Sequence, residues 1–293
     1  MSIAIYVGHH TPQPNLGEHC TYIKPVQLGC AMGRKASRGF LRDDIHDETA
    51  AVSARNNFWA DAGFHHFVWK HAIEDYVGAC HYRRYLSPWN HQDLRNLLGP
   101  NYDDFIGSRT STNVENRDTL FAPGAAVRYL LSADNGGKNF VEMLQSVDMV
   151  LPWPFIMEAN WTIEQNYLTR HDPDDWFVLE RVLEDLYPNE AKGARGYFQR
   201  ERLLFPDNIY LGRVAVVRQW HDWLFPILFE CEKRIREREN MYPHYRPLGF
   251  IAEHLFSWWV YSRDPKRYHV PVLVPRELYT GGVHLVSEKR RVA

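Results

Sequence analysis

The sequence predicts an α/β fold: a mostly parallel, Rossmann-like sheet flanked by helices, in a single domain. The first third of the chain alternates strand, loop, helix and strand, the rhythm of a parallel sheet with helical crossovers. With 293 residues, of which 45% are hydrophobic, the chain has enough apolar material for one large core. No internal repeat and no low-complexity linker divides it.

Residues 3–7 form an apolar run that breaks at Gly8-His9-His10-Thr11-Pro12, a buried strand entering a loop. Residues 13–33 are loop-rich, and the polar stretch Arg42-Asp43-Asp44-Ile45-His46-Asp47-Glu48 follows. Between residues 53 and 72, Phe58, Ala62, His65 or His66, and Trp69 recur at helical spacing, with Ser53 as the expected N-cap. Residues 75–81 read as a strand ending in a polar turn. Ligands of parallel sheets bind at the carboxyl ends of strands, so the loops starting at His9 and His81 are expected to share one crevice. Residues 86–146 show little periodicity, and Asn135-Gly136-Gly137 reads as a turn. Residues 147–151 read as a strand closed by Pro152 and Pro154. Helices are expected over 161–171 and 176–186, joined at Asp172-Pro173-Asp174-Asp175. An apolar segment over 208–217, with Asn208 where a strand begins, precedes helices over 220–238 and 249–261.

A formal net charge of −2 argues against general nucleic-acid binding, which calls for a basic excess. The basic runs at residues 233–238 and 289–291 read as solvated faces or tails, the sharper alternative being peripheral contact with an anionic inner-membrane surface. Cys20, Cys30, Cys80 and Cys231 are scattered without a CxxC pair, which suits a reducing cytoplasm and no structural zinc. The N-terminus lacks the pattern of a signal peptide, and no apolar run is long enough to span a bilayer. A cytoplasmic protein is expected, meeting any lipid-linked substrate at the membrane face. Ten tryptophans and sixteen tyrosines suit either sugar stacking or a core.

The most distinctive segment is Gly78-Ala79-Cys80-His81-Tyr82-Arg83-Arg84-Tyr85, preceded by an aromatic helix ending in Val68-Trp69-Lys70-His71. Together with His9, Pro25-Val26-Gln27-Leu28-Gly29, Asp43-Asp44, Ile163-Glu164-Gln165-Asn166-Tyr167, His171, Asn208 and Gly249-Phe250-Ile251-Ala252-Glu253, it resembles a family of bacterial capsule and exopolysaccharide gene clusters. That family is described as of unknown function or as glycosyltransferases. Asp61-Ala62-Gly63 departs from the family's Glu-Leu-Thr. The resemblance implies a GT-A-like fold, with a nucleotide-binding part over about residues 1–150 and an acceptor and catalytic part over about 151–293. It also implies a UDP-sugar donor, with galactose or galactofuranose as the sugar, and an oligosaccharide or lipid-linked glycan acceptor in surface polysaccharide synthesis.

In most GT-A enzymes an Asp-x-Asp at this strand end holds a divalent metal, but here His81, Arg83 and Arg84 take that place. Guanidinium groups neutralise phosphate without a metal, so a manganese or magnesium ion is not expected to be essential. Adjacent residues of an extended segment point to opposite sides, which sets Arg83 and Arg84 apart. Asp172-Pro173-Asp174 is an Asp-x-Asp by letter, explained more economically as an N-cap followed by proline at the first helical position. Glu253 is the candidate general base of an inverting transfer. Donor contacts are expected from His9, Thr11, Asp44 and Arg246 beside His81, Arg83 and Arg84, and acceptor contacts from Asn208 and His171. Several have a plainer reading: one of Arg83 and Arg84 as facing a structural carboxylate, Asp43-Asp44 as an exposed acidic turn, His9 and His171 as structural histidines, and Glu253 as a partner of Arg246 or His254. From another class, a non-catalytic carbohydrate-binding or assembly protein would also account for the aromatic content.

Overall fold

The computed structural model describes residues 1–11, 16–102, 119–132, 136–157, 160–237 and 246–278. Their strands are β1 (Ile3–His9), β2 (Ile23–Gln27), β3 (Leu41–Arg42), β4 (Tyr76–His81), β5 (Tyr85–Leu86), β6 (Thr119–Ala122), β7 (Met149–Pro152), β8 (Phe155–Ile156), β9 (Leu203–Leu204), β10 (Tyr210–Arg213), β11 (Arg267–Val270) and β12 (Val272–Pro275). The central sheet has seven strands in the order β11-β7-β10-β4-β1-β2-β3. All its pairings are parallel except those of β10, which runs antiparallel to both β4 and β7. Smaller sheets are formed by β5-β12-β6 and β8-β9.

The alternation of β1 explains why its sequence is apolar without a break. Ala4 and Tyr6 face one core, which includes the helices Asp61–His71, Pro173–Leu186, Val214–Arg236 and Pro247–Arg263. Ile5 and Val7 face the other, under the helices Gly124–Ser132 and Gly136–Ser146 and the small sheet. Burial on both faces removes the polar half of the usual strand pattern. The expected mostly parallel sheet flanked by helices is therefore observed.

Local readings differ in places. Residues 53–72 are not one helix: Asp47–Ser53, Asn56–Trp59 and Asp61–His71 are separate, and Ser53 closes the first rather than capping a longer one. The break falls at Ala60, whose φ of 47° no helix permits. Neither glycine nor proline marks it. Gly136 and Gly137 begin a helix rather than forming a turn; Asn135 lies outside the described residues, as do residues 238 and 289–291 of the basic runs. The segment 208–217 divides into β10 and the start of a helix at Val214. The Asp172 carboxylate accepts a hydrogen bond from Asp174 N at 3.0 Å, with Pro173 in the first turn, as the capping reading requires.

Candidate active site

The parallel strands β1 and β4 end side by side, with Gly8 level with His81. Antiparallel β10 starts where β4 ends: Tyr210 pairs with Ala79, and continuing that register sets Asn208 level with His81. The turn before β10 holds Asp207 and Asn208 at φ of 59° and 53°, a left-handed conformation that Asp and Asn tolerate better than most residues. From there Asp207 reaches two elements at once. Its carboxylate pairs with Arg84 Nη1 at 2.9 Å, and its backbone N–H donates to Glu253 Oε1 at 2.8 Å.

Glu253 sits in the second turn of the helix Pro247–Arg263, where Leu248, Ile251, Ala252, Leu255 and Phe256 are all buried. An acidic side chain inside so apolar a helix is costly unless it is hydrogen-bonded or protonated. Burial first, and then the charge of Asp207, push its carboxyl up to about 8. The Asp207 carboxyl is raised as well, by burial, with the Arg84 guanidinium pulling the other way. Two carboxyls are thus held together against one arginine, and at neutral pH the pair retains a proton more readily than ordinary acids do.

A second group adjoins it. His10 Nε2 lies 2.7 Å from Asp61 Oδ1, and the Asp61 carboxyl stays below its ordinary range: burial raises it, but the hydrogen bond and charge of His10 and the charges of His81 and His65 outweigh burial. His81 is pushed down to about 3 by burial, Asp61 opposing and the two arginines assisting. Ligand atoms of His10, Asp61 and His81 lie within 4.8 Å of one another. That set is poorly matched to a divalent ion. Arg83 N–H donates to His81 Nδ1 at 3.3 Å, which leaves the proton of neutral His81 on Nε2, and Arg83 and Arg84 add positive charge in the same turn.

Of the residues expected to bind donor, His81 and Arg84 join this group. Arg83 diverges, its guanidinium carbon 5.1 Å from the centre of the Tyr82 ring and its Nε buried without a partner. His9 requires correction: it is the last residue of β1 rather than a loop residue, and it is fully buried, with its ring 4.7 Å from Phe40 and 5.7 Å from Tyr82. Thr11 and Arg246 are exposed, with Arg246 at the N-cap of the Glu253 helix. Glu253 is bonded to the Asp207 amide rather than paired with either expected structural partner. Asp44 is held by Arg42 at 2.7 Å, off the end of β3. Its neighbour Asp43 is no exposed turn: it is 3% exposed and accepts from Gly29 N at 2.7 Å, Cys30 N at 3.0 Å and Ser53 Oγ at 2.7 Å. Asp43→Ala should therefore lower stability by about 2–4 kcal/mol. A thermal melt checks this, and an unchanged Tm would mean that these buried bonds of Asp43 contribute little to the fold.

Asn208 reaches Gly249 O at 3.5 Å, while its Oδ1 is buried without a partner. His171 stacks on Phe250 with ring centres 3.8 Å apart, and it lines a cavity that Glu253 also lines. Sequence reasoning missed Asp207, Asp61 and His10. Asp207 is an ordinary turn residue by letter, whereas the substitution of Asp61 for a family glutamate was a usable signal.

The chain is similar to the apo structure of WbbM, a bifunctional glycosyltransferase, with a TM-score of 0.69 at 21% identity over 94% of this chain. The match covers 45% of that longer chain, so this chain spans under half of its length. No functionally curated protein matches the sequence significantly. Residues 4–264 match a single family almost from end to end, and the chain belongs to that family, described as a domain of unknown function, DUF4422.

Proposed function

We propose that the chain is a nucleotide-sugar-dependent glycosyltransferase of GT-A type. It moves a hexose from a UDP-sugar to a saccharide or lipid-linked glycan acceptor in surface polysaccharide synthesis, with inversion. The observation that carries this reading is the Glu253 carboxylate, fixed by the Asp207 amide at the carboxyl ends of the central strands and facing the Arg84 pair. In the transfer, Glu253 takes the proton of an acceptor hydroxyl as the oxygen bonds to the anomeric carbon. The bond from that carbon to the diphosphate breaks, and its electron pair leaves on a phosphate oxygen. Arg84 and His81 supply donors to that developing anion, and Arg83 adds its charge from the same turn. The likeness to WbbM supports the fold, and galactose or galactofuranose as the sugar rests on the family resemblance alone. Among the described residues no helix is long and apolar enough to cross a membrane. A lipid-linked acceptor would be met at the inner-membrane surface.

A carbohydrate-binding protein without catalysis would need aromatic faces at its surface. Trp59, Trp176, Trp220 and Trp259 are instead core residues, although Trp153 is exposed, and what favours the enzyme is the carboxyl group of Glu253 held beside the Asp207–Arg84 pair. Calorimetric titration with UDP, with and without Mn²⁺ and EDTA, tests the proposal. Binding indifferent to metal and weakened by Arg84→Ala is expected. Failure to bind UDP or any other nucleotide would overturn it.

A further inference from the structure

Beside Glu253 lies a cavity of about 240 Å³ that His171 also lines. It is smaller than the sites that hold drug-sized ligands, about 300–1,000 Å³, and suits a single ring. One wall holds Phe250 and His171, whose rings stack on each other at 3.8 Å and give that side of the cavity an aromatic, apolar character. Asn166, Arg170 and His254 contribute polar groups to the lining. His254 Nδ1 lies 2.7 Å from Phe250 O, and because a carbonyl only accepts, the ring proton sits on Nδ1. That leaves Nε2 as a bare acceptor, buried and without a hydrogen-bond partner, on a side chain only 2% exposed. Burial keeps the ring neutral, pushing it down to about 4. A buried acceptor with no donor is costly, and a hydroxyl supplied by a ligand would satisfy it.

We infer that this cavity is the acceptor subsite: it takes the terminal sugar ring of the acceptor, one hydroxyl donating to His254 Nε2 and another presented to Glu253. Asn166 holds a further hydroxyl, and the aromatic wall selects a ring over a linear polyol. The assignment rests on the transferase reading, because it needs Glu253 as the base.

Met157 lines the same cavity and provides a probe that does not depend on turnover. Protein labelled with ¹³C at the methionine methyls is titrated with methyl hexosides, and Met157→Leu identifies the resonance. UDP affinity is measured in parallel on every variant. The expected result is a saturable shift of the Met157 signal, with apparent affinity reduced tenfold or more in His254→Phe and in Asn166→Ala while UDP affinity is unchanged. If UDP binds but no hexoside moves Met157, or both variants bind hexoside as the parent does, the subsite is wrong and the transferase reading stands. If no nucleotide binds at all, the transferase reading falls and the acceptor role falls with it, even where a hexoside still shifts Met157.

Discussion

Glu253→Gln should leave UDP affinity within about twofold of the parent and lower glycosyl transfer by about 10²–10⁴-fold, the usual contribution of a positioned general base. The amide retains an oxygen to accept the Asp207 N–H, so the turn before β10 keeps its anchor. What is lost is the capacity to take a proton. Steady-state transfer and calorimetry on the same preparation check both halves. Transfer at the parental rate would remove Glu253 from the mechanism, whereas loss of UDP binding would make it a structural anchor.

The same carboxyl dictates a pH dependence whose sign follows from its environment. Burial and the Asp207 charge raise it to about 8 in the folded protein, above its ordinary value near 4.5. A base must be ionised, so kcat/KM should climb as pH rises toward 8 and level off beyond. Stability runs the other way. Between its unfolded and folded pKa values the native state holds more protons on this group, so its contribution falls with rising pH across that window. Glu253→Gln removes the dependence. The variant should therefore gain Tm over the parent at pH 9 and gain less at pH 5, which paired melts would show. A gain independent of pH would mean that the carboxyl is not held in a raised state.

The parts of the fold that could be read from sequence are those in which burial leaves a periodic trace. β1 and β4 are apolar on both faces, and the helix Pro247–Arg263 is apolar almost all round, which makes Glu253 conspicuous. Strands of two residues, such as β3, β5, β8 and β9, carry too few positions for any period to register. The antiparallel insertion of β10 was equally hidden, because strand direction is a tertiary property. With it went Asp207, whose importance comes from lying at the start of a reversed strand. Asp43 and His9 misled for the opposite reason. Both look like polar loop residues by composition, yet one terminates a network of backbone donors and the other is the covered last residue of a strand.

Arg84→Ala tests how these pieces act together. The guanidinium pairs with Asp207, and the turn that carries it also carries His81 and Arg83. If Arg84 serves the diphosphate, its loss should weaken UDP binding by about tenfold to a hundredfold, the range for a hydrogen bond to a charged group. Arg84→Lys should restore the charge without the planar fork and recover only part of that loss. Removal of Arg84 should also push Glu253 further up, because its positive charge is one of the influences holding that carboxyl down. The acid limb of the pH–rate profile then moves to higher pH. Asp207→Asn breaks the same ion pair but takes away the negative charge that raises Glu253, so its limb should move to lower pH. Both variants remove one structural contact, and a purely structural role for the pair would give two similar losses of Tm with no displacement of the limb. Opposite displacements, with UDP affinity lost chiefly in Arg84→Ala, would identify Arg84 as the link between leaving-group stabilisation and the ionisation of the base.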